Sequence, residues 1–361
     1  MKPRTHMFTI AGCIALALAS QGQAADFAER NELAARSARS GLGREQVALL
    51  KALPGQGRQK TADILKARFR MSHEAISFAG VARTEDGPKG LSALGPGWLL
   101  NVDGDGTRVR YRNLAYLQGA QARPVPLAQR PGLESLEAIG RRFVVAGLRD
   151  MVRLGPNEEL VPLFTQYQVS GGASTQAGAR PDPERVEASV VVFSRTIDGV
   201  HVIGPGSKVA VLVANDGKVA GFDYDWPVYE LAGRPQKVVP IQEVRNRANT
   251  LTPLRLDRAD TTLKRTECGY YDAGAQRRDP AAMLQAACQF NTIERRIVDE
   301  AAHSADAGSG HLLLAHSEVV PAGATVLPDR KWPLAQKILG QALLQPALIA
   351  PTAAPTPGPR P

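Results

Sequence analysis

The sequence predicts an α+β fold with a helical amino-terminal region, two helix-on-antiparallel-sheet units and a proline-rich tail. Three observations lead to this prediction. Residues 135–152 place apolar side chains at three- and four-residue steps, which is the period of an amphipathic helix. Strand-like runs follow, separated by Asp-Gly and Asn-Asp-Gly turns. A fainter series of elements in the same order begins at Ile241.

The first 24 residues have the features of a secretory signal peptide. Lys2 and Arg4 precede an apolar run over residues 7–19, and the small residues that follow favour cleavage after Ala24. The run is shorter than the roughly 20 residues that a membrane-spanning helix needs. Residues 10–13 resemble a bacterial lipobox, but the apolar run continues beyond that cysteine. We therefore expect a secreted or periplasmic protein with an ordinary cleaved signal.

The charge pattern argues against nucleic acid as a partner. The chain has 44 Lys and Arg against 35 Asp and Glu, a formal net charge of +9. The bases are dispersed, and no basic stripe with interleaved aromatic residues occurs. No later run is long enough to span a membrane, so we expect no transmembrane segment in the mature chain.

Composition and turn signals divide the chain into five segments. We predict a signal peptide over 1–24, a helical region over 25–79, a first α+β unit with a leading hairpin over 80–232, a second α+β unit over 233–335, and a helical end with a flexible tail over 336–361. Within the helical region, apolar spacing predicts helices over 26–53 and 61–69.

Two cysteines, Cys268 and Cys288, lie beyond the predicted signal peptide. In an oxidising compartment the simplest expectation is one disulfide between them. Two separately buried thiols are the alternative. Because no histidine lies close to either cysteine in the sequence, a metal site lacks ligands, and we expect no metal and no cofactor.

Residues 187–226 read EASVVVFSRTIDGVHVIGPGSKVAVLVANDGKVAGFDYDW. The strand ending in Arg-x-Ile-Asp-Gly, the Val-His-Val-Ile-Gly run with the turn that follows it, and the later Asp-Gly-Lys-Val between two strands resemble the PepSY and thermolysin-propeptide families. With the preceding helix, the resemblance covers residues 135–226, and it extends weakly to residue 320. It implies a helix packed on an antiparallel sheet, used in secreted proteins as a protease pro-region or inhibitory module. No protease domain follows the motif, and the loop over 171–183 is long, so the match is partial.

The Gly-Pro-Gly turn of this segment and the tryptophan at its end are candidate binding residues. Gly204, Pro205, Gly206 and Lys208 have some likeness to a phosphate loop, but the spacing is too short and strands flank the turn on both sides. Trp226 is equally well explained as an aromatic lid on the core. We expect these five residues, together with exposed strand edges, to contact a partner through strand addition.

No Gly-x-Ser-x-Gly, His-Glu-x-x-His or haem-attachment motif occurs, so we assign no catalytic residue. His316 and Glu318 would share one strand face and are the best available acid–base pair. The leading hypothesis is a secreted, non-catalytic binding or inhibitory module that acts on another exported protein, for example a peptidase. The alternatives are an exported enzyme with a site between the two units and a structural envelope or assembly protein.

Overall fold

The computed structural model describes residues 42, 44–70, 74–81, 83–87, 89–119, 123–172, 182–251, 256, 261–278, 283–298 and 310–324. The predicted signal peptide with its lipobox-like segment, the first part of the predicted helical region and the proline-rich tail lie outside these residues. These expectations stay predictions.

Strands account for most of the regular structure in the described residues. The strands are β1 (Gln46–Val47), β2 (Leu50–Ala52), β3 (Arg83–Gly87), β4 (Gly90–Gly95), β5 (Trp98–Asp103), β6 (Arg108–Asn113), β7 (Val125–Pro126), β8 (Glu158–Ser170), β9 (Arg185–Ile197), β10 (Val200–Ile203), β11 (Lys208–Ala214), β12 (Val219–Asp225), β13 (Tyr229–Leu231), β14 (Gln236–Lys237), β15 (Thr261–Tyr271), β16 (Met283–Leu284), β17 (Ala286–Val298) and β18 (Gly310–Pro321).

The helices are fewer and shorter. They are α1 (Arg58–Arg68), α2 (Leu114–Gln118), α3 (Leu133–Arg142), α4 (Ile241–Leu251), a 3₁₀ turn (Leu127–Gln129) and a π-helical turn (Phe143–Gly147) that continues α3. Among the described residues, no helix has both the length and the apolar character needed to cross a membrane.

Thirteen of the described strands form one sheet. Its main path runs β18-β17-β15-β10-β9-β11-β12-β6-β5-β4-β3, and β7 and β8 also pair with β9. Neighbouring strands are antiparallel except β10 and β15, which are parallel and joined by two register pairs, Val202 with Tyr270 and Ile203 with Tyr271. The remaining short strands form two small sheets, β1-β14 and β13-β2-β16.

Tight turns set the hairpins that build the middle of the sheet. Between β9 and β10, Asp198 and Gly199 both have positive φ, 51° and 74°, as a type I′ turn requires. Between β11 and β12, Gly217 supplies a φ of 84°. The predicted Asn-Asp-Gly hairpin is therefore confirmed, with β11 antiparallel to β12.

Residues 204–207 form an excursion that separates β10 from β11 along the same side of β9. His201 lies opposite Thr196, and Val209 lies opposite Phe193. Eight steps along one chain thus match three along the other, which leaves five extra residues. The outer neighbour also changes at this point, because β15 lies beside β10 whereas β12 lies beside β11. The Gly-Pro-Gly turn therefore sits where the sheet divides.

Two apolar cores lie against this sheet. In the first, Leu65 of α1, Leu136 of α3 and Phe143 of the π-helical turn pack with inward side chains of β9, β11 and β12. In the second, Val244 and Ala248 of α4 pack with residues of β15, β17 and β18. The apolar face of each helix thus packs against the sheet, as the spacing of its apolar residues predicts.

The predicted fold class is wrong. The described residues are mainly β, and the segments predicted as two separate helix-on-sheet units share one sheet through β10 and β15. Strands β1 and β2 replace part of the helix predicted over 26–53, while the helix predicted over 61–69 overlaps α1. The local sequence patterns did not predict this strand order, because β6 pairs with β12 and β10 pairs with β15 across long sequence separations. The predicted domain boundaries stay a prediction.

The predicted disulfide is present. Cys268 of β15 and Cys288 of β17 are bonded and lie directly opposite each other in the antiparallel register. Cys288 is buried in the second core, and Cys268 is partly exposed beside it. The bond therefore ties together two central strands of the second half of the sheet.

Replacing Cys268 and Cys288 together by alanine is expected to lower the free energy of unfolding by about 3 kcal/mol, because the unfolded chain regains the conformational entropy that the disulfide-closed loop had removed. Denaturant titration measures the loss. Reduction of the wild-type protein should produce a similar loss, whereas the double variant should not respond to reductant. A wild-type protein whose stability does not change on reduction would contradict the assignment.

Candidate functional site

Glycine is required at two positions of the excursion between β10 and β11. Gly204 has a φ of 88°, and a Cβ there would lie 2.6 Å from the main-chain oxygen of Asp272. A Cβ on Gly206 would overlap the carboxylate of the same aspartate. The excursion thus folds directly against the residue that follows β15.

The Asp272 carboxylate is the most heavily hydrogen-bonded group of this region, and the residue is 0% exposed. Its Oδ1 accepts from the Gly274 N–H at 3.0 Å and from Arg278 Nε at 3.1 Å. Its Oδ2 accepts from Ser207 Oγ, Tyr229 Oη and Arg278 Nη2, at 3.1, 2.6 and 2.9 Å. Burial alone would raise the pKa of Asp272, but the guanidinium and these donors outweigh it and lower that pKa.

Arg278 joins the ends of two strands, β12 and β15, that do not pair with each other. Besides Asp272 after β15, its Nη2 contacts Oδ1 of Asp225, the last residue of β12, at 2.6 Å. The Ala275 N–H donates to the other oxygen of Asp225 at 2.5 Å. Burial nevertheless raises the pKa of Asp225, although Arg278 opposes that shift. One guanidinium therefore serves two buried carboxylates.

A second buried guanidinium lies beneath Trp226. Arg195 is 0% exposed, and its Nη1 pairs with Glu158 Oε2 at 2.9 Å. Its Nη2 donates to the Pro227 carbonyl at 2.5 Å. The guanidinium carbon lies 4.0 Å from the ring centroid of Trp226 and 4.8 Å from that of Tyr229. The tryptophan thus covers a paired cation, a favourable arrangement for an aromatic face.

Lys208, the first residue of β11, binds carbonyl groups of β10 and of the excursion. Its Nζ donates to Ser194 Oγ at 3.0 Å, to the Val202 carbonyl at 2.9 Å and to the Gly206 carbonyl at 3.0 Å. Burial lowers the pKa of Lys208 to about 8. A serine beside such a lysine has the chemistry of a nucleophile and its base. Ser194 is only 1% exposed, however, and its Oγ donates to the Val202 carbonyl. The pair is therefore an internal tie between strands.

The structure brings the five candidate binding residues into this one cluster. Pro205 is exposed, Gly204 and Lys208 are partly buried, and Gly206 and Trp226 are buried. Their contact with a partner stays a prediction. Sequence reasoning missed the charged members of the cluster: Glu158, Arg195, Asp225, Asp272 and Arg278. One signal was available, since Arg195 follows the apolar run of residues 190–193 within a strand, a position where charge needs a partner.

The predicted acid–base pair is arranged differently. His316 and Glu318 lie two residues apart on β18 and share one face, as expected. His316 Nε2, however, contacts Glu294 Oε2 on β17 at 2.8 Å, and both side chains are largely buried. This contact is a cross-strand tie inside the sheet.

Among the edge strands of the large sheet, β7 has only two residues, and the longer strands β3, β8 and β18 differ in how they discourage further pairing. β3 is short and carries Arg83, Glu85 and Asp86. β8 contains Pro162 and has two register shifts against β9. β18 instead pairs with β17 through twelve consecutive register positions without a shift. Short length, charge, proline and bulges are the usual protections of an edge strand. β18 is therefore the least protected edge in the described part of the chain.

The outward main-chain groups of β18 follow from its register. The Ala322 N–H donates to the Ala286 carbonyl at 2.9 Å, so these opposite residues form a hydrogen-bonded pair. Such pairs alternate along an antiparallel ladder. Odd-numbered residues of β18 therefore direct N–H and C=O away from β17. The Pro321 carbonyl agrees, since it accepts from Arg247 Nη1 of α4 at 3.2 Å.

No family model matches this chain, and no curated protein matches it. Among solved structures, an uncharacterized protein from Eubacterium rectale is similar with a TM-score of 0.45 and 9% identity, over 78% of this chain and 87% of that chain. A likeness at this level supports no conclusion about function. The resemblance to the PepSY and thermolysin-propeptide families is wrong, because no family matches and the sheet is not built of such units.

Gly206→Ala is expected to lower the free energy of unfolding by about 1–3 kcal/mol, because the added methyl group overlaps the buried Asp272 carboxylate. Gly87→Ala is the matched control, since a Cβ there meets nothing within 4 Å. Chemical denaturation of both variants measures the difference. Equal, small effects would show that the excursion does not pack against Asp272.

Lys208→Met is expected to change how stability depends on pH. The folded-state pKa of Lys208, about 8, lies below its ordinary value of 10.5, so the folded protein releases this proton first. The unfolded chain then holds more protons, and the contribution of Lys208 to stability rises as pH increases from about 8 to about 10.5. Urea titrations across that range should show this rise in the wild type and its absence in the variant. Parallel curves for the two proteins would refute the expectation.

Proposed function

We propose that this chain is an exported, non-catalytic binding module that takes an extended segment of another exported protein onto the outer edge of β18. The observation that carries the proposal is the unprotected, regular edge, with its odd-numbered main-chain groups directed away from β17. Pairing of an extended peptide with such an edge satisfies main-chain donors and acceptors on both sides.

Export is supported by the covalent structure. The bond between Cys268 and Cys288 is of a kind that persists in oxidising compartments. The predicted signal peptide, with cleavage after Ala24, would supply the route. Delivery to the periplasm or the exterior would place the β18 edge among other exported proteins.

The side chains along the edge suit a segment of modest size and mixed polarity. Ala315 is exposed, and Ser317 and Val319 are partly exposed on the same face. Beside them on β17, Gln289 Nε2 donates to Ser317 Oγ at 2.6 Å. We expect main-chain hydrogen bonds to supply most of the affinity. The prediction that the partner is a peptidase depended on the family resemblance, which is wrong. We therefore propose only that the partner supplies an extended segment of an exported protein.

Two arrangements support binding over catalysis. His316 was the predicted acid–base residue, and Lys208 has a lowered pKa. Their contacts with Glu294 and with Ser194 are the two pairs of this site that most resemble catalytic pairs. Both join neighbouring strands inside the sheet, and Ser194 is enclosed. A catalytic nucleophile or base must reach its substrate.

The proposal is tested by removing one outward N–H of the edge. Ala315→Pro deletes that donor without touching the ladder to β17, because residue 315 is odd-numbered and its side chain is exposed. Ala315→Ser is the matched control that keeps the N–H. Immobilised mature protein is exposed to the secreted fraction of the producing cells, and captured protein is quantified. We expect capture by Ala315→Pro to fall about tenfold or more, since proline also obstructs the incoming strand.

Hydrogen exchange on the wild-type complex then locates the contact. The odd-numbered amides of residues 311–319 should gain protection when a captured protein is bound. Equal capture by both variants, or protection confined to residues 204–208, would overturn strand addition at this edge. Circular dichroism confirms that the variants remain folded.

A further inference from the structure

The open part of the β18 edge has two defined ends. At its carboxyl end, Arg247 Nη1 donates to the Pro321 carbonyl at 3.2 Å and to the Gly323 carbonyl at 2.7 Å. Glu243 fixes this arginine through a contact of 2.6 Å to Nη2. Pro321 also lacks an N–H. At the other end β18 begins at Gly310. The outward groups that face no other strand in the described part of the chain are therefore those of residues 311, 313, 315, 317 and 319.

This set is symmetrical about Ala315. A second β18 strand placed antiparallel, with a two-fold axis at Ala315, puts residue 311 opposite 319, residue 313 opposite 317 and residue 315 opposite its own copy. All outward residues then occupy hydrogen-bonded pairs, which gives about ten new main-chain hydrogen bonds. No outward N–H in the run is left without an opposite carbonyl. The open edge is thus complementary to itself.

The charges along β18 permit this pairing. Glu318 is the only Asp, Glu, Lys or Arg between Gly310 and Pro321. In the two-fold register it lies opposite Leu312 of the second copy, so no like charges stand directly opposite, an arrangement that would be destabilising. At the axis itself, the small and exposed Ala315 meets its own copy.

The position of α4 is also compatible with the pairing. Arg247 fixes α4 to the carboxyl end of β18. A two-fold axis perpendicular to the sheet keeps both copies of α4 on one face, at opposite ends of the new ladder. The pairing closes after two copies, because the same surface is used on both.

We propose that the free chain forms a two-fold dimer through antiparallel pairing of β18 with β18, centred on Ala315. The dimer covers the edge until an exported partner displaces it. Dimer formation does not depend on the proposed function, whereas displacement rests on it. A continuous sheet would then run through both copies, with its least protected edge buried at the centre.

Charge substitution at the axis tests the dimer. Ala315→Asp and Ala315→Lys each place two like charges opposite one another in the dimer and nowhere else. Sedimentation equilibrium of the mature wild-type protein should show a concentration-dependent dimer, and each variant alone should dimerise about tenfold more weakly or worse. An equal mixture of the two variants should recover association, because opposite charges then meet at the axis.

Leu231→Asp is the control, since this residue is 74% exposed on β13, which belongs to a separate small sheet. It should associate like the wild type. A wild-type protein that stays monomeric, variants that dimerise normally, or a mixture that fails to recover would each overturn the proposed dimer.

The dimer and the proposed function can fail separately. A monomeric wild type that still captures protein through the Ala315 N–H refutes the dimer and leaves partner binding intact. A dimer with the expected charge pattern, combined with equal capture by Ala315→Pro and Ala315→Ser, refutes partner binding at this edge and leaves the dimer intact.

Discussion

The buried contact between Arg278 and the carboxylates of Asp225 and Asp272 is the interaction on which the arrangement of the sheet depends. In the part of the chain that the structure describes, the two halves of the sheet meet directly through only two register pairs of β10 and β15. Immediately beyond those pairs, β12 ends at Asp225 and β15 gives way to Asp272, and Arg278 bridges the two carboxylates. A buried charge left without its partner is strongly destabilising. Because the bridge requires all three residues, it fixes where β15 can end relative to β12.

The excursion between β10 and β11 follows from the same requirement. To reach Asp272, the chain must leave its ladder with β9, and doing so frees carbonyl groups that a regular strand would pair. The Lys208 amine donates hydrogen bonds to two of these carbonyls, those of Val202 and Gly206. Gly206 leaves the space that the Asp272 carboxylate fills. Four of the five residues from Gly204 to Lys208 thus meet a steric or hydrogen-bonding requirement of the junction.

The edges of the sheet show a second constraint. An open sheet always has strands with unpaired main-chain groups, and proteins usually protect them. In this chain β3 is protected by charge, and β8 is protected by proline and by bulges, whereas Arg247 protects only the carboxyl end of β18. The difference in protection, more than any cluster of reactive side chains, distinguishes β18 from the rest of the described surface. A surface that recognises main-chain groups leaves little trace in composition or motifs.

The sequence by itself determined the local features of this protein. Hairpin turns such as Asn215-Asp216-Gly217, the helix at Ile241–Leu251 and the cysteine pairing were predictable, because each depends on residues close in the chain or on chemistry with few alternatives. Only the tertiary structure decided that β15 lies beside β10, that five further charged residues join Lys208 at the junction, and that β18 is left as an edge. These features depend on which distant strands pair. Many pairings satisfy the same alternation of apolar and polar residues, so that pattern alone cannot select one.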